Sequence, residues 1–199
     1  MTYKHLSFVS LFAVAALSAS AQRNVENFNF GWQFHRGNID VAAINTSDGS
    51  WETINVPHDF QISQPWVAPA ANESEDNSDG ASNFKSRLSA RGFKEMGDGW
   101  YVNTYTPAAD MKGRRILLDF EGIMYVGDVY LNGKRIGGTD YGYLGFDIDV
   151  SKLLKYGQAN TIAVHASTSG PLNSRWYTGG GLYRDVKIVS TPADIYFVR

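Results

Sequence analysis

The chain of 199 residues contains no cysteine. That excludes a disulfide framework and a thiolate zinc centre. Histidine is sparse as well: His5, His35, His58 and His165 are scattered, with no pair at the i, i+4 spacing that offers one helix face to a metal. The expectation is therefore no metal site and no cofactor. An excess of one charge is also missing, since 18 basic and 20 acidic side chains leave a net charge of −2. Nucleic acid, which calls for a basic stripe, is not an expected partner. No apolar run reaches the ~20 residues of a membrane-spanning helix, so no membrane partner is expected either.

The longest apolar run lies at the start, from Leu6 to Leu17, behind the positive Lys4 and His5. Ser18-Ala19-Ser20-Ala21 supplies small residues of the kind a signal peptidase cuts. Residues 1–21 read as a signal peptide, with no cysteine following it to carry a lipid. The expected location is outside the cytoplasm, periplasmic or secreted in a bacterium, where a protein without disulfides is ordinary. The remaining residues 22–199 suffice for one β-rich domain with its own core. They do not suffice for a sandwich plus a barrel of about 250 residues.

Helix signals are few. Ser151 to Lys155, after Asp149 and ending near Gly157, reads as one capped turn at most. Short β-type runs dominate instead, with turn residues between them. Phe28, Phe30, Trp32 and Phe34 alternate on one face of an extended segment. Trp51 to Val56 stops at Pro57, and Trp100 to Thr106 stops at Pro107. Ile116, Leu118 and Phe120 line one face of a further strand, with Leu117 and Asp119 opposite. Tyr125 to Leu131 ends at Asn132-Gly133, a strong hairpin signal, and Lys134 to Gly137 returns. Phe146 to Asp149, Thr161 to Ser167 and Asp185 to Val189 complete the set. Strands at this spacing without helices between them predict an all-β antiparallel sandwich or jelly roll.

Two stretches stand apart. Residues 68–98 are polar and rich in Ala, Ser, Asn and Gly, acidic first and basic later, and read as an insertion. Arg175-Trp176-Tyr177-Thr178-Gly179-Gly180-Gly181-Leu182-Tyr183-Arg184 sets three glycines between large aromatics and arginines. Glycine admits close approach of other groups, while flat aromatic faces and guanidinium forks are suited to sugar rings and their hydroxyls. An ordinary tight turn with Trp176 and Tyr183 as core aromatics accounts for the same residues.

Several motifs, in order, resemble the N-terminal sugar-binding domain of glycoside hydrolase family 2, which includes β-galactosidases, β-glucuronidases and β-mannosidases. They are Phe30-Gly31-Trp32-Gln33-Phe34, Val56-Pro57-His58-Asp59-Phe60, Gly99-Trp100-Tyr101, and Phe120-Glu121-Gly122 followed by Val129 to Gly133. Gly142 to Asp149, Asn160 to Val164, and Ser174 to Val186 close the series. The resemblance implies a galactose-binding-domain-like jelly roll, a carbohydrate partner, and Ig-like and barrel domains elsewhere in a parent hydrolase of β-galactosidase type.

That family draws both catalytic glutamates from the barrel, so no catalytic residue is expected in this chain. Asn72-Glu73, in the polar insertion, has no rigid strand to hold it as an acid. By resemblance, the family's two sugar-contacting places fall at Met124, with Tyr125 beside it, and at Arg175 before Trp176. Family members often carry a polar side chain at the first and an acid at the second. Met124 cannot donate to a hydroxyl, and Arg175 reverses the charge, which suits an acidic glycan. The candidate substrate-binding residues are Arg175, Tyr125, Trp176 and Asp59, with an Asx turn as the alternative role for Asp59. Asp147 and Asp149 read as the polar face of an edge strand, and Arg184 as a buried guanidinium stacked on Tyr183 and paired with a carboxylate. Two other functions fit the same residues: a free-standing carbohydrate-binding module, and a structural domain that docks on a barrel without binding sugar.

Overall fold

The computed structural model of the chain describes residues 23–67, 94–169 and 177–194. The expected signal peptide, residues 68–93 of the polar insertion, and both Arg175 and Trp176 lie outside the described residues. Ten strands are described: β1 (Asn24–Asn27), β2 (Trp32–Arg36), β3 (Glu52–Ile54), β4 (Asp98–Tyr105), β5 (Arg115–Phe120), β6 (Val126–Leu131), β7 (Lys134–Thr139), β8 (Phe146–Asp149), β9 (Asn160–Ser167) and β10 (Val186–Thr191). They form two sheets, ordered β1-β10-β5-β8 and β3-β2-β4-β9-β6-β7, with every pairing antiparallel. The all-β sandwich read from the sequence is the fold. Its helices among the described residues are two single-turn 3-10 segments, Val41–Ala43 and Ala109–Met111. The stretch after Asp149 is a hydrogen-bonded turn, in which Leu154 N donates to Val150 O at 3.1 Å and Asp149 takes the Ser151 amide at 3.0 Å.

The two sheets bury one main core between them. Trp32, Phe34, Tyr101, Ile116, Leu118, Phe120, Ile162, Val164, Leu182 and Ile188 belong to it. Alternation explains most of these positions, since every second residue of a strand faces the partner sheet. Strands β4 and β9 depart from it, and Trp100, Val102 and Ala163 are buried on the opposite face. The segment between β2 and β3 covers them with Ile39, Val41, Ile44 and Trp51. Asp40 caps its 3-10 turn by accepting from the Ala42 amide at 2.9 Å. A strand covered on both faces reads as a near-continuous apolar run, which is why Trp100-Tyr101-Val102 and Ile162-Ala163-Val164 show no alternation.

The structure corrects three readings. Phe30 does not share the face of Phe28, Trp32 and Phe34; it is 67% exposed. The φ of +75° at Gly31 resets the chain before β2 begins, so the alternation breaks there. The insertion ends earlier than expected, because Lys94 bridges Trp66 and Asp98 already belongs to β4. Arg184 is stacked on Tyr183, 4.9 Å from ring centre, yet it is exposed and its hydrogen bond goes to the Glu121 carbonyl at 3.4 Å. The carboxylate of Glu121 is held by Lys187 instead.

Hairpin β6–β7 turns at Asn132 and Gly133, with φ of +50° and +80°, as a two-residue type I′ loop requires. The Asn132 side chain fastens this turn to β9: it accepts from the Thr161 amide at 3.0 Å and donates to Asn160 Oδ1 at 3.0 Å. Asn160 is fully buried and also accepts from Lys155 N at 2.9 Å, while its amide donates to the carbonyls of Lys155 and Gln158 at 2.9 and 3.0 Å. A buried polar group stripped of its partner costs about 1–3 kcal/mol, and several lose theirs together here. Asn160→Ala should therefore destabilise the fold by about 3 kcal/mol or more, read from the urea midpoint at constant m-value. A loss below about 1 kcal/mol would contradict this role.

Candidate functional site

Four sequence motifs that lie far apart along the chain meet at one end of the sandwich. Residues 56–60, 180–182 and 123–125 lie side by side as a small backbone layer. His58 N donates to Leu182 O at 2.7 Å and Phe60 N to Gly180 O at 3.0 Å. On the other side, Met124 and Gly181 exchange amide-to-carbonyl bonds of 2.8 and 2.6 Å. Tyr125 N continues the pattern to Ser167 O, at the end of β9, over 3.2 Å. The Val56–Pro57 and Met124–Tyr125 peptides of the flanking segments are both cis.

Gly181 sits at the centre of this layer, directly over Tyr101. A side chain at 181 would overlap the Tyr101 hydroxyl, and the backbone there has a φ of +109°. Both facts require glycine. Gly179 and Gly180 are equally crowded: a Cβ would lie 2.6 Å from Asp59 Oδ2 at the first and 2.7 Å from Thr168 at the second. The glycine triplet is thus a place where three segments and a buried phenol converge.

Asp59 closes the layer. One carboxylate oxygen accepts from the Gln61 amide at 3.0 Å, which is the Asx turn anticipated from sequence, and from the Gly180 amide at 2.9 Å. The other accepts from the Tyr177 hydroxyl at 2.8 Å. Burial, reinforced by this bond to a carboxylate, holds the Tyr177 phenol far above its ordinary pKa. Tyr101 is fully buried, and desolvation raises its phenol well above the usual value too. The Tyr101 oxygen lies 3.0 Å from His58 Nδ1 and meets the Leu182 backbone. His58 is half-buried against the rings of Phe34 and Tyr101, and burial lowers its pKa despite the nearby Glu52 and Asp59. A neutral imidazole is the form this environment favours.

The edge of the layer is framed by further side chains. Met124 is buried against Gly142, where a Cβ would fall 2.6 Å from its sulfur, so it presents nothing polar to a ligand. Tyr125, next to it, is half-buried. Tyr183 donates its hydroxyl to Gly142 O at 2.8 Å and covers Gly122. Arg36 braces the other margin, with bonds to the carbonyls of Met96 and Asp98 at 2.9 and 3.0 Å and its guanidinium 4.8 Å over the Phe60 ring. Of the four candidate residues, Asp59 and Tyr125 are brought to the same end of the sandwich, and Arg175 and Trp176 lie outside the described residues. Tyr101 and His58 were not singled out by sequence reasoning for a role at the site. Their signal was the presence of both residues inside matching motifs.

Residues 87–174 match the family described as glycosyl hydrolase 2 galactose-binding domain-like. The chain belongs to that family. It is 30% identical over 180 residues to a β-galactosidase from Bacteroides ovatus, covering 90% of this chain and 19% of that protein. It is 32% identical over 182 residues to a β-glucuronidase from Formosa agariphila, covering 84% of this chain and 17% of the other. Among solved structures, a β-glycosidase from Bacteroides vulgatus superposes with a TM-score of 0.68 at 30% identity, over 85% of this chain and 20% of its own. The chain therefore spans about a fifth or less of each of these larger glycosidases.

Within the galactose-binding-like domain, the layer around Gly181 yields two expectations. Gly181→Ala combines overpacking against Tyr101 with a left-handed backbone, and should cost about 3 kcal/mol or more by urea denaturation; a change under about 1 kcal/mol would contradict the close approach. His58 contributes a pH dependence of definite sign. Its folded pKa lies below the ordinary 6.5, so the unfolded chain binds the proton more readily. That stabilisation is present above about pH 6.5 and is lost as pH falls toward the folded value. Between about pH 7.5 and about pH 5.5 the wild type should lose more stability than His58→Asn, which cannot titrate. Equal losses would contradict a neutral, buried imidazole.

Proposed function

We propose that this chain is the N-terminal sugar-binding jelly roll of an exported family 2 glycoside hydrolase of β-galactosidase type. Its task is to hold loops in fixed positions around one side of a saccharide, while bond cleavage takes place on a barrel elsewhere in the parent polypeptide. The observation that carries this reading is the layer at the end of the sandwich, where Asp59 and Tyr125 are fixed on a scaffold with the buried rigidity of a core. Hydrogen bonds of 2.6–3.0 Å tie its three segments together. Support also comes from relatives several times longer than this chain that are named as a β-galactosidase and a β-glucuronidase, and from a solved neighbour named as a β-glycosidase.

Cleavage of a glycoside with retention needs two carboxyl groups about 5–5.5 Å apart across the bond. Asp59 has both oxygens engaged by Gln61, Gly180 and Tyr177, and Glu121 is held by Lys187. Neither stands ready as an acid or a nucleophile. Direct sugar contact is assigned to Tyr125, Arg175 and Trp176, while Asp59 fastens Tyr177 and Gly180. Arg175 adds a positive fork suited to a uronic acid or another acidic sugar.

The same geometry accommodates a domain that docks on a barrel and never touches sugar. Two-dimensional NMR titration of the isotopically labelled chain with methyl β-galactoside and methyl β-glucuronide separates the two. The proposal expects millimolar binding, with shifts confined to residues 58–60, 122–125 and 175–184, and a weaker response to the glucuronide in Arg175→Ala. It also expects no release of nitrophenol from chromogenic glycosides. An absence of shifts at saturating sugar would leave the docking role alone, and tight micromolar binding would instead indicate a free-standing module.

A further inference from the structure

Beside the glycine layer, the loop joining β7 to β8 projects an apolar rim that no sugar contact explains. Leu144 is 65% and Tyr141 48% exposed. Yet the loop is rigidly held. Thr139 Oγ1 donates to Tyr141 O at 3.0 Å and accepts from the Tyr141 amide at 3.1 Å. Tyr183 donates to Gly142 O at 2.8 Å, and the Gly142 backbone is seated on Met124. Arg184 lies over the Tyr183 ring at 4.9 Å and extends into solvent, with only the 3.4 Å contact to Glu121 O recorded for its donors among the described residues.

This composition is that of a protein–protein anchor. Tyrosine and arginine are among the side chains that dominate interface energies, an exposed leucine beside them adds apolar area, and prior ordering lowers the entropic cost of docking. A saccharide platform would need an open aromatic face and spare hydroxyls. Here the Tyr183 face is covered by Arg184 and its hydroxyl is spent on Gly142, while the rings of Tyr141 and Tyr143 are tilted by 55° and share no plane. Leu144 has nothing to offer a sugar hydroxyl. By contrast, the exposed Trp66 already has the Lys94 ammonium 4.1 Å above its ring.

We infer that Tyr141, Leu144, Tyr183 and Arg184 form the surface on which another domain of the parent glycosidase docks, with an apolar groove for Leu144 and Tyr141 and a carboxylate for Arg184. The inference rests on the chain being one domain of a longer hydrolase. The relatives, of which it spans less than a fifth, supply chain enough to cover the rim. The exposed guanidinium, which forms no ion pair with a carboxylate among the described residues, fixes the sign of the charge opposite it.

The test replaces the matching segment of the Bacteroides ovatus β-galactosidase with this chain and compares hydroxyl-radical labelling of the chimera with that of the chain alone. Expected are an active chimera and labelling of Tyr141, Leu144 and Tyr183 that falls about tenfold on incorporation. Leu144→Asp and Arg184→Glu, both at exposed positions, should leave the isolated chain's melting unchanged and weaken domain association, measured with the two parts added separately, by about tenfold or more. An active chimera in which the rim labels as in the isolated chain overturns the docking surface and leaves the domain reading intact. An inactive chimera with no protection anywhere removes that reading, and the docking surface with it. A dimer of the chain in sedimentation, with the rim protected, assigns the surface to self-association and overturns the proposal.

Discussion

Backbone passes so close to the Tyr101 hydroxyl at Gly181 that no side chain fits between them, and the end of the sandwich is arranged around that approach. With a glycine there, residues 180–182 can lie as a central segment between 56–60 and 123–125 and satisfy polar groups on both sides. The layer that results seals the core from above. It also leaves a fully buried phenol with a bonded oxygen, which is the condition for burying tyrosine without a large desolvation cost. Asp59 then locks the layer at its open edge by taking up two backbone amides and a second phenol.

Much of the fold was legible because strand periodicity and turn chemistry agree along most of the chain. The Asn132-Gly133 hairpin, the Ile116-Leu118-Phe120 face and the polar Asp147 and Asp149 of the edge strand β8 are all where alternation puts them. Alternation failed where a local device intervened. Gly31 rotates the chain and throws Phe30 outward. The second small core behind Trp100 arises from a covering segment whose own sequence, residues 37–51, is too irregular to announce it. Strand β1 has no apolar face at all, being exposed at all four positions, and nothing but its pairing with β10 reveals it.

The site was legible in part, and for a different reason. Its motifs are separated by tens of residues, and periodicity cannot bring Asp59 to Gly180 or Met124 to Gly181. The resemblance placed them in one domain, and the hydrogen-bond pattern shows what each does. Asp59 emerges with a clear structural role, as the Asx-turn alternative anticipated, and the recorded bonds of its carboxylate go to the protein. His58 and Tyr101 take on a weight that sequence did not assign, because only burial makes their protonation states matter. In structural terms the layer supplies a fixed frame, its segments tied to one another by backbone hydrogen bonds.

Native-state hydrogen exchange addresses the central claim most directly. If the glycine layer belongs to the core, the amides of His58, Phe60, Met124 and Gly181 will open with the same free energy as those of Leu118 and Ile162 in the sheets. Exchange of these four amides at rates typical of surface loops, while the sheet amides stay protected, would contradict it.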